Sequence, residues 1–148
     1  MTTRFGRLRC GDAGQALIET ALALPLVLLL SVSVFEFGRA FQHWQILTNA
    51  AREGARIAVL PGIDEEAVTA RVQEYLDGGG LAAPDSADVS VTAAQISIGG
   101  GNTALASTVT ISYPFAFVTL QPVMQLIVRG STVGEPITMT VSATMRNE

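Results

Sequence analysis

Lysine is absent from this 148-residue chain, histidine and cysteine occur once each, and charged side chains make up only 15% of the residues. All nine basic residues are therefore arginine, and the net charge is −4. That charge argues against nucleic acid as a partner, because binding to phosphates requires a basic surface. The single cysteine, Cys10, cannot form an intramolecular disulfide, so no disulfide framework is available.

The sequence also has few residues that could support catalysis. His43 is the only histidine, and no cluster of histidine and cysteine has the spacing of a metal site. The glycine runs at 78–80 and 99–101 lack the Lys-Ser/Thr ending of a phosphate-binding loop, and both indicate turns. We therefore expect no enzymatic activity, no cofactor, no metal and no small-molecule substrate.

One long apolar run stands out near the N-terminus. From 15 to 37 the chain is almost wholly apolar, with Glu19 as the only charge before Glu36. As a helix this run would extend roughly 34 Å, enough to cross a hydrocarbon core of about 30 Å. Three basic residues precede it: Arg4, Arg7 and Arg9. Because basic flanks tend to stay cytoplasmic, the sequence predicts a single-pass membrane protein whose N-terminus is cytoplasmic and whose remainder lies outside.

The helical pattern continues past the predicted span. Apolar residues recur at steps of three and four up to Pro61-Gly62, a pair that ends helices. They are Phe41, Trp44, Leu47, Ala51, Ala55 and Ala58. This pattern predicts a nearly continuous helix from about Gln15 to Val59, which tolerates Pro25 inside the membrane. The predicted organisation is a leader at 1–14, a transmembrane helix at 15–37, its extracytoplasmic continuation at 38–60 and a small domain at 61–148.

The small domain is predicted to combine a short helix with a sheet. Asp64 is a candidate N-cap for a helix from Glu65 to about Leu76, after which alternating apolar and polar residues indicate strands. The strand residues are Val89, Val91, Ile96, Ile98, then Val109 to Phe115, then Ile137 to Met145. We expect an α+β fold with three or four antiparallel strands. The small residues Ala51, Gly54 and Ala55 would let the long helix lie close to this sheet.

The start of the apolar run has a more specific pattern. A basic leader ends at Gly14, and Glu19 follows five residues later inside the run. One interpretation is an interfacial acid favoured by the positive end of a helix dipole. The combination also resembles the processing site of type IV prepilins. That resemblance implies cleavage by prepilin peptidase between Gly14 and Gln15, and a role for Glu19 in docking between subunits.

Further motifs narrow the resemblance to one family. Four segments occur in order after Gly14: Leu24-Pro25-Leu26, Glu36-Phe37-Gly38-Arg39, Ala50-Ala51-Arg52-Glu53-Gly54-Ala55-Arg56 and Ala143-Thr144-Met145-Arg146. Together they look like the TadE-like family of minor pseudopilins, although Thr20 stands where many members have an aromatic residue. The resemblance implies a pilin-like fold and a structural role in assembling tight-adherence (Tad/Flp) pili, or a related secretion machine, at the bacterial cytoplasmic membrane. Its implied partners are the lipid bilayer, prepilin peptidase, other pilin or pseudopilin subunits and the Tad assembly platform.

Two alternatives remain open from the sequence. Ser31-Val32-Ser33 has small residues at the spacing that signal peptidase requires, so the chain could be a secreted binding domain. An uncleaved single-pass anchor carrying a binding domain at the cell surface would share the fold and differ only in processing.

Overall fold

The computed structural model describes residues 12–147. The first eleven residues, which make up most of the predicted leader and include Cys10, lie outside the described residues. Its first element is α1, Asp12–Ala58, a helix of 47 residues that continues through Pro25. The predicted long helix is therefore confirmed, with its start three residues earlier and its end one residue earlier than the sequence indicated.

The second helix, α2, spans Glu65–Gly78. Asp64 caps it as predicted, because its side chain accepts a hydrogen bond from the Ala67 amide at 2.9 Å. The helix ends in the glycine run, where Gly80 has a φ of +75°, a conformation that side-chain-bearing residues rarely adopt. Its buried face consists of Val68, Val72 and Leu76.

Three antiparallel strands follow, in the spatial order β1-β2-β3. They are β1 (Asp88–Gly99), β2 (Asn102–Phe115) and β3 (Ile137–Arg146), with a short helix α3 (Leu120–Ile127) between β2 and β3. The turn between β1 and β2 uses Gly99, Gly100 and Gly101, all at positive φ. The expected α+β fold is confirmed, with three of the three or four predicted strands, since the residues from Val89 to Ile98 form a single strand.

One face of the sheet is buried and the other is polar. Along β2 the side chains of Val109, Ile111, Tyr113 and Phe115 are buried, and they pack against α1 and α2 in one hydrophobic core. The alternate residues of β2 and β3 face away from this core and carry hydroxyl groups, as in the directly paired Thr108 and Thr144. The predicted alternation thus places the core on one side of the sheet only.

Only part of the predicted apolar stripe of α1 faces the core. Leu47, Ala51 and Ala55 are fully buried as expected. Phe41 and Trp44, which also fit the three- and four-residue steps, are 63% and 45% exposed. The core contacts of this part of the helix come instead from the side of Ala40 and His43, which lie against the sheet. Periodicity alone could not separate these adjacent faces, because a helix of this composition has apolar residues on both.

Candidate functional site

The two halves of α1 lie in different environments. From Gly14 to Phe35 nearly every side chain is exposed, including Leu17 at 71%, Leu22 at 75% and Phe35 at 81%. The most apolar 18-residue window of this helix has a mean hydropathy of 2.2 and none of its residues is buried. A core helix of a soluble protein would bury such a window, whereas a membrane anchor would expose it to lipid. The N-terminal half of α1 is thus compatible with a single-pass membrane anchor.

Glu19 lies on the exposed surface of this apolar half. The Gln15 side-chain amide, one turn earlier, donates a hydrogen bond to the Glu19 Oε1 atom at 3.0 Å. No cation contacts the carboxylate within residues 12–147. An ionised carboxylate inside a bilayer costs about 3 kcal/mol unless it is paired, so within a membrane Glu19 would need a partner from outside that part of the chain.

The hydroxyl groups of the apolar half need no such partner. Thr20, Ser31 and Ser33 each donate to the backbone carbonyl four residues earlier, at 2.8 to 2.9 Å. These bonds satisfy the hydroxyl hydrogens within the helix, which makes the side chains acceptable in lipid. Glu19 thus differs from these hydroxyl groups, because the described residues provide no cation to balance its charge.

A cluster that we name the Glu36 clasp (Glu36, Arg39, Ala116, Val118 and Thr119) joins α1 to the domain. It lies where the exposed half of α1 ends. Glu36 is 4% exposed, and it is the one charged side chain that is buried in the described part of the chain. Its Oε1 atom accepts hydrogen bonds from the Val118 amide at 3.2 Å and from the Thr119 amide and hydroxyl at 2.8 and 2.5 Å. Its other oxygen accepts from Arg39 at 2.9 Å. Because the carboxylate is fully hydrogen-bonded, its burial is tolerated.

Arg39 completes the Glu36 clasp. Its Nη2 atom also donates to the Ala116 carbonyl at 2.6 Å, and its guanidinium lies 4.9 Å from the centroid of the Phe115 ring. Phe117 in turn meets Phe37 edge to face, with ring centroids 6.1 Å apart. One turn of α1 thus holds the entire segment between β2 and α3. The Glu36 clasp comprises Glu36, Arg39, Ala116, Val118 and Thr119.

From the sequence, the Glu36-Phe37-Gly38-Arg39 segment was identified only as a motif of the resembled family. Its role in attaching the domain to α1 was not predicted. The signal that could have revealed it is a Glu and Arg pair three residues apart, at the point where an apolar span ends. The pair indicates a fixed carboxylate, but the partners of Glu36 come from residues 82 and 83 positions later in the chain. No local pattern identifies such partners.

The small residues Ala51, Gly54 and Ala55 lie where α1 contacts both α2 and the sheet. A Cβ atom on Gly54 would lie 2.6 Å from Cγ2 of Val72 and 3.3 Å from Cγ1 of Val109. Gly54 therefore lets α1 lie closer to α2 and β2 than any other residue type would allow. Its cost of about 1 kcal/mol in helix propensity is offset by this close packing.

Charged side chains bridge α1 and α2 on the outer side of this contact. Glu53 accepts two hydrogen bonds from Arg56 on the same helix, at 2.8 and 2.9 Å. It also accepts from Arg71 of α2 at 3.2 Å, and Arg71 in turn donates to Glu74 at 2.8 Å. Hydrogen bonds from Arg56, and then from Arg71, lower the pKa of Glu53 to about 2.

His43 contacts aromatic side chains in the core. Its ring meets those of Phe115 and Tyr113 edge to face, with centroids 5.2 and 5.9 Å apart. Its buried Nδ1 atom has no hydrogen-bond partner among residues 12–147. Burial, and then the positive charge of Arg39, lower the pKa of His43, so the ring is neutral near pH 7. Within the same residues no group of three His, Cys, Asp or Glu side chains could hold a metal ion.

Comparison with known proteins gives one match. A family model described as TadE-like protein matches residues 14–56, which run from the exposed half of α1, through the Glu36 clasp, to the Gly54 contact. Neither the curated proteins nor the solved structures include one that matches this chain. The matched family is the one whose motifs the sequence resembles, and it points to a protein related to the Tad pilus. Residues 14–56 of this chain are thus similar to the TadE-like family.

Proposed function

We propose that this protein is a minor pseudopilin, a structural subunit that serves the assembly of a Tad/Flp pilus or of a related secretion machine. The observation that carries the proposal is one uninterrupted helix that is exposed and apolar in its first half and buried in a folded domain in its second. A subunit of this shape can be stored in the membrane by its first half and recruited by helix and domain contacts. The TadE-like match over 14–56 covers both halves.

In this proposal the anchor lies in the bacterial cytoplasmic membrane, with the N-terminus inside and the sheet domain outside. Prepilin peptidase cuts between Gly14 and Gln15 on the cytoplasmic side. The cut turns the peptide nitrogen of Gln15 into a cationic amine, one turn away from Glu19. The Gln15 side chain already reaches Glu19 at 3.0 Å. An amine on the same subunit or a neighbouring one is thus the natural partner for the carboxylate in lipid.

The continuity of α1 through Ser31-Val32-Ser33 supports the membrane-anchored proposal over the secreted alternative. Ser31 and Ser33 lie inside α1, and their hydroxyls bond to the helix backbone. A cut after Ser33 would leave Val34 and Phe35, which are 72% and 81% exposed, as the free end directly before the Glu36 clasp. A soluble protein would then begin with two exposed apolar side chains and a charged amine, directly beside the segment that joins α1 to the domain.

The processing step is tested by co-expressing the chain with a prepilin peptidase. The mass of the membrane-fraction protein should fall by that of residues 1–14, and Gly14→Val should abolish the loss. Gly11→Val is the matched control, because it makes the same change three residues away and should leave processing intact. If both variants are processed alike, or if the wild-type mass does not change, the peptidase assignment is wrong.

The docking role of Glu19 is tested separately, in cells that depend on this subunit for pilus assembly. Glu19→Gln keeps the size and the hydrogen-bonding groups but removes the charge, so assembled pili should be lost while the subunit remains processed and in the membrane. Glu66→Gln on the exposed side of α2 is the control. Normal assembly with Glu19→Gln would show that the carboxylate does not dock subunits.

A further inference from the structure

A second apolar surface lies beside the end of the predicted membrane span. No charged residue occurs from 115 to 128, a stretch that includes the whole of α3. Leu120 of α3 is buried at 5%, but Leu126 is 86% exposed, more than Phe35 of the apolar half of α1. Val118 and Val128, on either side of the helix, are 63% and 52% exposed. We name Val118, Leu126 and Val128 the α3 patch.

The Glu36 clasp fixes the height of the segment that begins α3 relative to the anchor. Val118 and Thr119 bond directly to Glu36, which is the residue where the apolar half of α1 ends. From Thr119, the eight residues of α3 can extend only about 12 Å, whatever their direction. The interfacial layer on each side of a bilayer is roughly 5 to 8 Å thick. When 15–37 spans the membrane, Thr119 lies near the outer edge of the hydrocarbon core, so an α3 that runs along the bilayer surface would lie within that layer over its whole length.

We propose that α3 is a second membrane contact, and that its α3 patch lies in the outer interface of the bilayer. This inference rests on the proposed anchor at 15–37. Lipid is the occupant that the observations favour, because the α3 patch is apolar, no charge occurs from 115 to 128, and Val118 lines one groove with Val34 and Phe35 of the apolar half of α1. Arg129 directly follows the segment, at the position where a basic residue would meet anionic headgroups.

A second contact would have a mechanical consequence. A single helix leaves the domain free to rotate about its axis and to tilt, since the length of a span fixes neither motion. Attachment at α3 as well as at α1 limits the tilt of the domain relative to the bilayer plane. The subunit would thus hold its domain at one height and tilt before it leaves the membrane.

The experiment places a spin label at three positions of the full chain, reconstituted in vesicles of phosphatidylcholine and phosphatidylglycerol. Cys10→Ser removes the native cysteine, and the labels are attached at Leu126→Cys, Leu105→Cys and Leu28→Cys. Collisions with oxygen, which concentrates in lipid, are compared with collisions with a water-soluble nickel complex. Leu105 is the matched control: it is 64% exposed and lies on β2 roughly 33 Å from Phe115. Leu28, in the middle of the apolar half, reports on the anchor itself.

The oxygen-to-nickel ratio should be several-fold higher at position 126 than at position 105, and highest at position 28. Equal ratios at 126 and 105, with a high ratio at 28, would overturn the proposal for α3 while the anchor stands. Protection of position 126 from both reagents would also overturn it, because it would indicate that another protein subunit covers the α3 patch. A low ratio at position 28 would instead refute the anchor, and with it both proposals.

Discussion

Replacing Gly54 by alanine should have the opposite effect to the same change at Gly38, although both glycines lie in α1. Nothing lies within 4 Å of a Cβ atom at Gly38, so Gly38→Ala should gain helix propensity and stabilise the fold by about 1 kcal/mol. At Gly54 the new methyl would lie 2.6 Å from Cγ2 of Val72. Val72 is fully buried, and its β-branched side chain has one favoured rotamer on a helix.

The magnitude at Gly54 follows from these two opposing effects. Overpacking of a buried contact costs about 1 to 3 kcal/mol, which offsets or exceeds the gain of about 1 kcal/mol in propensity. We expect Gly54→Ala to be destabilising by up to about 2 kcal/mol, a few degrees in melting temperature. Thermal unfolding of the full chain in micelles, followed by circular dichroism of the sheet, measures both variants under the same conditions.

A double-mutant cycle identifies the cause. Val72→Ala alone should destabilise by about 2 kcal/mol through the lost methyl groups and the cavity. Combined with Gly54→Ala, it should be less damaging than the sum of the two, because the clash is relieved. If Gly54→Ala stabilises as much as Gly38→Ala, or if the two effects at Gly54 and Val72 simply add, the close approach of α1 to α2 is not as described.

Three further predictions concern polar groups. Glu36→Ala should weaken the attachment of the segment around Thr119 by about 3 to 5 kcal/mol, because the donors that bond to the buried carboxylate lose their acceptor. Limited proteolysis should then cut that segment sooner than in the wild type. The pKa of Glu53 is lowered from its ordinary 4.5 to about 2, so its contribution to stability is complete above pH 4.5 and should be lost as the pH falls towards 2. Glu53→Gln should remove this dependence of the unfolding free energy on pH. Burial lowers the pKa of His43, so on acidification the unfolded chain binds a proton before the folded chain does. The free energy of unfolding should therefore fall as the pH drops below about 6.5, and this pH dependence should be absent in His43→Phe.

The two longer helices and the three strands of this chain could be predicted because their signals are local. The apolar run and the Pro61-Gly62 pair bound α1, and Asp64 marks the start of α2. The alternation around Ile111 marks a strand and its buried face. Each signal depends on residues a few positions apart, as helix and strand geometry requires.

The attachment of the domain to the helix could not be predicted in the same way. The partners of Glu36 lie more than 80 positions away in sequence, in a segment whose composition showed only that it was apolar. The exposure of Phe41 and Trp44 also depended on which side of α1 the sheet covers. That side is set by the packing of Gly54 against Val72 and Val109, and periodicity allows either adjacent face.

The membrane anchor and the pilus-assembly role both depend on where the mature chain begins. N-terminal sequencing of the protein purified from the membrane fraction of its native host tests this directly. The account predicts Gln15 as the first residue, with the apolar half of α1 still attached to the domain. A chain that begins at Val34 and is found free in solution would contradict the membrane anchor, and the pilus-assembly role would fail with it.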